Sequence, residues 1–265
     1  MMTQTEAGPH TNPANPVSPQ DDLGLDRAFL MQMARIPFFA VGWVLLAFVS
    51  HLIWAAVAPD ATNYGPIIVI CFGMVLAAVI DGWAFKVPNW LTLSLVVSGW
   101  ALGALHSLNI QLEGGAGGLG IALLCTAIGF AMLFPLLAIA GMGQGDVKML
   151  MGFGAWIGAF YGPQNAVMIL VWAFCLGVIV GGIFGLVIMI ARRKFKKNLS
   201  NFREIAVDLK VLATVGPNAA VERSQSRRAG WDRLPYGIPL CIGFLSYLAY
   251  RYMEGTLPIP GGILE

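Results

Sequence analysis

The sequence predicts an all-helical membrane protein that crosses the bilayer about seven times, with its N-terminus in the cytosol. Three observations carry this. Of 265 residues, 57% are hydrophobic and only 11% are charged, against roughly 25% charged in an ordinary soluble domain. The mean hydropathy is +0.73. The apolar residues fall in separated runs, and the basic residues fall almost wholly on one side of them. This composition cannot cover a water-facing surface, which excludes a typical cytosolic enzyme, a disordered chain and a nucleic-acid binder.

Residues 1–35 are polar, rich in Pro, Asn, Gln and Asp, and read as a loose cytosolic tail. Their acidic start and the late onset of the first apolar run do not fit a secretory signal. Seven apolar runs follow: Ile36–Ala58, Tyr64–Ile80, Trp90–Leu105, Leu119–Ala140, Met149–Tyr161, Ala166–Ile190 and Tyr236–Tyr250. A spanning helix needs about 20 residues. The third, fifth and seventh runs are short, and the fifth needs flanking loop residues to span. Seven is the best count, with six and eight as its neighbours. The chain thus divides into the tail 1–35, an N-terminal helix within 36–63, and a membrane core 64–265.

Orientation follows from lysine and arginine, which accumulate on the cytosolic side. With a cytosolic N-terminus and seven spans, that side holds Arg27, Arg35, Lys86, Lys148 and every basic residue from Arg192 to Arg233. Of the 16 basic residues, only Arg251 falls outside. The outer loops carry Asp60 and Glu113 but no basic residue.

The loop 191–234 is the one large soluble piece. It opens with Arg192, Arg193, Lys194, Lys196 and Lys197, and then Phe202, Ile205, Leu209 and Leu212 recur at helical spacing. That pattern fits an amphipathic helix on anionic lipid, and also a docking surface for a partner protein. In the sixth run Gly177, Gly181 and Gly185 stand four apart, a small-residue stripe suited to close helix packing.

Neither cysteine nor histidine suggests a metal site. Cys71, Cys125, Cys175 and Cys241 each lie in an apolar run, form no CxxC pair, and read as small buried hydrophobes. His10, His51 and His106 do not cluster. No cofactor is implied.

With the acids of the tail, the outer loops and the basic loop set aside, Asp81 and Asp146 remain. Both stand where an apolar run meets the cytosolic side, and an ionisable residue there suggests function because burying charge is costly. Asp81 ends the second run, where the negative end of the helix dipole disfavours its carboxylate. Pro88 stops helix from continuing, and Asn89 is suited to cap the third helix. Asp146 follows Gly141-Met142-Gly143-Gln144-Gly145, whose glycines permit close approach of another chain. Asp146 is also a good helix N-cap, a purely structural alternative. Two carboxylates brought together share one proton, so one can act as general base on water and the other as general acid. No serine–histidine or cysteine–histidine pairing competes with them.

These residues resemble a family. Gly143-Gln144-Gly145-Asp146 is a GxGD motif, as in membrane aspartic proteases, and its continuation Val147-Lys148-Met149 resembles the GxGDxK form of the type IV prepilin peptidases. Val87-Pro88-Asn89 after Asp81 resembles that family's Ile-Pro-Asn-like element, with Val for Ile. Leu234-Pro235-Tyr236-Gly237 looks like its C-terminal Pro-Tyr element. Presenilin-type and signal-peptide-peptidase-type enzymes place Tyr before the first aspartate and Pro-Ala-Leu near the end; here Ile80 precedes Asp81 and no Pro-Ala-Leu occurs. The chain has neither the paired CxxC motifs nor the room for the cytosolic domain of the long, methylating members. It resembles the short form of tight-adherence (Flp-type) pilus systems, with the helix Ile36–Ala58 and the basic loop as departures.

The resemblance implies an aspartic endopeptidase of the bacterial inner membrane, multi-pass, with its site facing the cytosol. Asp81 and Asp146 would be catalytic, and Gly143, Gly145, Lys148, Lys86, Pro88 and Asn89 would bind substrate or support the motifs. Lys148 and Lys86 also fit plain interfacial anchors. Partners would be a prepilin, membrane lipids and pilus-assembly proteins. Preflagellin processing is the neighbouring reading. A proton- or cation-coupled transporter is the reading from another class, although no helix centre carries a charge. Asp81-Gly82-Trp83-Ala84 also resembles the opening of the CDP-alcohol phosphotransferase motif, but Phe85 follows where that motif needs Arg.

Overall fold

The computed structural model describes residues 27–60, 62–110, 117–138, 142–191, 207, 210–212, 214–216 and 236–255. Seven long helices make up the described residues: α1 (Arg27–Val57), α2 (Gly65–Ala84), α3 (Asn89–Ser107), α4 (Leu119–Ala138), α5 (Gln144–Phe160), α6 (Pro163–Ala191) and α7 (Gly237–Met253). Each corresponds to one apolar run of the sequence. The helix expected in the basic loop lies largely outside the described residues, as do most of the loop's charges.

Boundaries differ from the sequence reading where polar residues continue a helix. α1 begins at Arg27, well before Ile36, and passes through Pro37. α2 continues past Asp81 to Ala84 and stops at Phe85, which adopts the left-handed conformation at φ 51° and donates its N–H to Asp81 O at 2.8 Å. A left-handed non-glycine residue is a locally strained way to end a helix. Two capping expectations are corrected. Asn89 does not cap α3: Pro88, extended at φ −70° and ψ 144°, holds the N-cap position, and Asn89 is the first helical residue. Asp146 does not hold the cap position of α5: Gly143 takes it, and Asp146 stands in the first turn, where its carboxylate accepts a hydrogen bond from the Gly143 backbone. The Asn89 side chain is thereby left for a tertiary contact.

Five helices are long and apolar enough to cross a membrane: Met33–Val57 of α1, α2, α3, α4 and α6. α5 and α7 have 17 residues each, about 25 Å at the α-helical rise, short of a hydrocarbon core of about 30 Å. α5 needs no lipid-facing length. From Asp146 to Phe160 only Lys148 and Met151 are not buried, so protein surrounds it. By contrast α6 exposes Val178, Ile179, Ile183, Val187 and Ile190, and α1 exposes Val41, Leu45, Val49 and Leu52. Apolar faces of this extent are what a polytopic membrane protein presents to lipid.

α5 is held between α3 and α4 by backbone-to-backbone approach. A Cβ on Gly99 of α3 would lie 2.6 Å from Ala155 Cβ, and one on Gly158 would lie 2.6 Å from Ile121 O of α4. Small residues replace large ones here because dispersion, not water exclusion, drives helix association in lipid. Buried indoles add hydrogen bonds: Trp156 Nε1 donates to Leu95 O and Ser98 Oγ, both at 3.0 Å, and Trp100 Nε1 donates to Thr126 Oγ1 at 3.0 Å. α1 joins the bundle on α3 through Trp43 Nε1 to Ser94 Oγ at 3.1 Å and a Phe39–Trp90 ring contact at 4.7 Å. Of the glycine stripe, Gly177 and Gly181 pack on Leu240 and Pro239 of α7, whereas Gly185 faces open space. Cys125 and Cys241 are buried; Cys71 and Cys175 are only half-buried.

Candidate active site

Three segments converge at one end of the bundle: the last turns of α2, the first turn of α5, and the start of α7. Asp81 is 6% exposed and Asp146 is 5% exposed. They come from separate helices, and Asp81 is near enough to act electrostatically on Asp146. The loop between α2 and α3 folds back onto the glycines before Asp146. Val87 is buried against Gly145, where a Cβ would lie 3.2 Å from Val87 Cβ. Gly145 is thus a contact surface between the two aspartate segments. Lys148 Nζ donates a 2.7 Å hydrogen bond to Asn89 Oδ1, joining the same two segments on the other side of Asp146.

The start of α7 closes the third side. Gly237 N–H donates to Asp81 Oδ2 at 2.9 Å. A Cβ on Gly237 would stand 2.9 Å from that oxygen and 3.0 Å from Asp81 Cβ, so only glycine allows this approach. Tyr236 is close enough to Asp146 that the carboxylate, after burial, raises its phenol above the ordinary value. Sequence reasoning picked out Pro235-Tyr236-Gly237 as a family element without assigning its residues to the site. The structure brings Tyr236 and Gly237 to both carboxylates. Pro235 lies outside the described residues.

The electrostatics follow from burial. Asp146 lies in the first turn of α5, outside the five spanning helices. Burial, then the like charge of Asp81, push it up to about 7, against a lowering by the Gly143 backbone hydrogen bond. Its Oδ1 is buried and has no hydrogen-bond partner among the described residues. A buried carboxylate oxygen without a donor favours the protonated form or an incoming donor such as water. Lys148 is lowered from the ordinary lysine value by burial first and then by Lys86.

The remaining expected residues are distributed as follows. Gly143 approaches Asp146 itself: a Cβ there would lie 3.2 Å from Asp146 Oδ2. Pro88 O accepts the N–H groups of Leu91 at 3.1 Å and Thr92 at 3.3 Å, which anchors the start of α3. Lys86 is exposed at the rim. Among the described residues no three His, Cys, Asp or Glu side chains gather as a metal site. The arrangement is two buried carboxylates, each with a backbone donor, and one unpartnered oxygen on Asp146, suited to moving protons to and from a water and a leaving group.

Residues 68–182, which carry both aspartates, match the type IV leader peptidase family. The match takes in both aspartates, the glycines before Asp146 and the Val87-Pro88-Asn89 element, and it supports a peptidase of the leader peptidase type. No curated protein and no solved structure matches the chain.

Proposed function

We propose that this protein is an aspartic endopeptidase that removes the basic leader from Flp-like prepilins at the cytosolic face of the bacterial inner membrane, in support of pilus assembly or secretion. The observation that carries this reading is the burial of Asp81 and Asp146 within electrostatic reach of each other, in the segment that matches the leader peptidase family. The cytosolic face is supported by the distribution of basic residues around the spans.

In the proposed mechanism the pair shares one proton. The ionised member takes a proton from water, which attacks the scissile carbonyl. The protonated member gives its proton to the leaving amine. The pair titrates as a unit, so the roles are those of the dyad rather than of fixed residues. The Gly237 N–H bond to Asp81 Oδ2 fixes one carboxylate and stabilises its charge. Gly143 and Gly145 leave room for substrate backbone, and Lys86 and Lys148 offer positive charge to an acidic substrate residue.

The test is co-expression with a Flp-type prepilin in membranes, with the leader followed by gel shift. The native chain should trim it. Asp81→Asn and Asp146→Asn should each reduce cleavage by about 10²–10⁴-fold, the usual worth of a general acid or base. Cleavage that survives either substitution would falsify the dyad.

A further inference from the structure

A cleft of about 650 Å³ lies between α2 and α7, lined by Ala78, Val79, Gly82 and Trp83 of α2 and by Ile238 and Ile242 of α7. It is almost wholly apolar and open at its side: Val79, Trp83 and Ile242 are 57%, 88% and 44% exposed. Its lining borders the carboxylate site, although neither aspartate lines it. Gly82 is the neighbour of Asp81, Ala78 lies one turn before it, and Ile238 follows the Gly237 that bonds Asp81. The two helices approach closely here because Gly82 has no side chain; a Cβ would meet Ile238 Cδ1 at 2.9 Å. Along α2 the lining runs from Trp83 back to Val75, and Val75 lies about 9 Å from the level of Asp81 at 1.5 Å per residue, towards the middle of the span.

A peptide whose scissile bond lies at Asp81, and whose next residues enter the bilayer, has to pass along this surface. We propose that the α2–α7 cleft seats the apolar stem of the substrate directly beyond the scissile bond, as a helix lying against α2 and α7. This rests on the proposed peptidase function and adds where the substrate docks. Adjacency to the carboxylates favours a peptide over a lipid chain: an acyl chain gains nothing from lying beside Asp81, whereas a stem seated here carries its peptide bond to the helix end that bears that side chain. Ala78 and Gly82 provide the depth, and Trp83 at the mouth, near the end of the span, suits the interfacial level where the stem would enter.

The test is disulfide cross-linking in membranes. The full chain carries Asp146→Asn to prevent turnover and Val79→Cys to report on the cleft. The prepilin carries single cysteines scanned along its stem. Phe72→Cys is the control, because Phe72 is equally exposed on α2 but stacks towards Trp43 of α1. The parent with only its native cysteines sets the background. Val79→Cys should link to a few stem positions spaced three or four residues apart, close to the cleavage site, and Phe72→Cys should link to none of them. A second measurement uses the active chain: Val79→Trp, which fills the cleft, should raise KM for the prepilin about tenfold, as expected when roughly 1.4 kcal/mol of docking energy is lost. Equal linking from both positions, or an unchanged KM, overturns the cleft while leaving the peptidase reading intact if the native chain still cleaves. If the native chain cleaves no prepilin, the peptidase reading fails and the cleft proposal fails with it.

Discussion

The backbone N–H of Gly237, the first residue of α7, donates a 2.9 Å hydrogen bond to Asp81 Oδ2 of α2. The last helix is therefore fastened to the second at the carboxylate itself, and any residue larger than glycine would displace one from the other. Gly237→Ala should leave the chain inserted in membranes but lower prepilin cleavage by about 10²-fold, the cost of a misplacement near 1 Å at reacting groups. Membrane yield and gel-shift cleavage, read together, check this; native-level cleavage by the alanine variant would refute it.

The pH dependence follows from Asp146, which burial and the charge of Asp81 raise to about 7. A raised carboxyl keeps its proton below that pH and loses it above. The working dyad holds one proton, so cleavage should fall as pH rises through about 7, when the second carboxyl ionises. Initial rates of the detergent-solubilised protein from pH 5 to pH 9 decide this. A rate still climbing at pH 9 would contradict the shared proton.

Lys148 and Asn89 form one tertiary contact between the two aspartate segments. Their effects should then be non-additive. Asn89→Ala and Lys148→Met should each slow cleavage several-fold, and the double variant should be no slower than the worse single one. Losses that multiply would mean that the two side chains act separately.

Glycines differ sharply by position. Gly99→Ala would drive a Cβ to 2.6 Å from Ala155 Cβ and 2.8 Å from its backbone. It should destabilise the protein by about 1–3 kcal/mol through overpacking between α3 and α5. Gly185→Ala meets nothing within 4 Å and should be neutral or slightly stabilising. Thermal inactivation of both in one detergent compares them; equal midpoints would argue against close packing at Gly99.

Much of this protein was legible in its sequence. Seven apolar runs became seven helices, because hydrophobicity over a span and punctuation such as Pro88 act locally. Asp81 and Asp146 stood out because charge at the edge of an apolar run is costly wherever the helices go. Local signals also misled. Asn89 and Asp146 have good capping chemistry, but Pro88 and Gly143 took the cap positions. Only the tertiary structure decided that the two aspartates come within electrostatic reach, that Lys148 reaches Asn89, and that the start of α7 closes over Asp81. Each of these depends on how closely distant helices approach. That is fixed by glycines such as Gly99, Gly145 and Gly237 facing particular partners, and no periodicity within one segment encodes which partner a glycine will face.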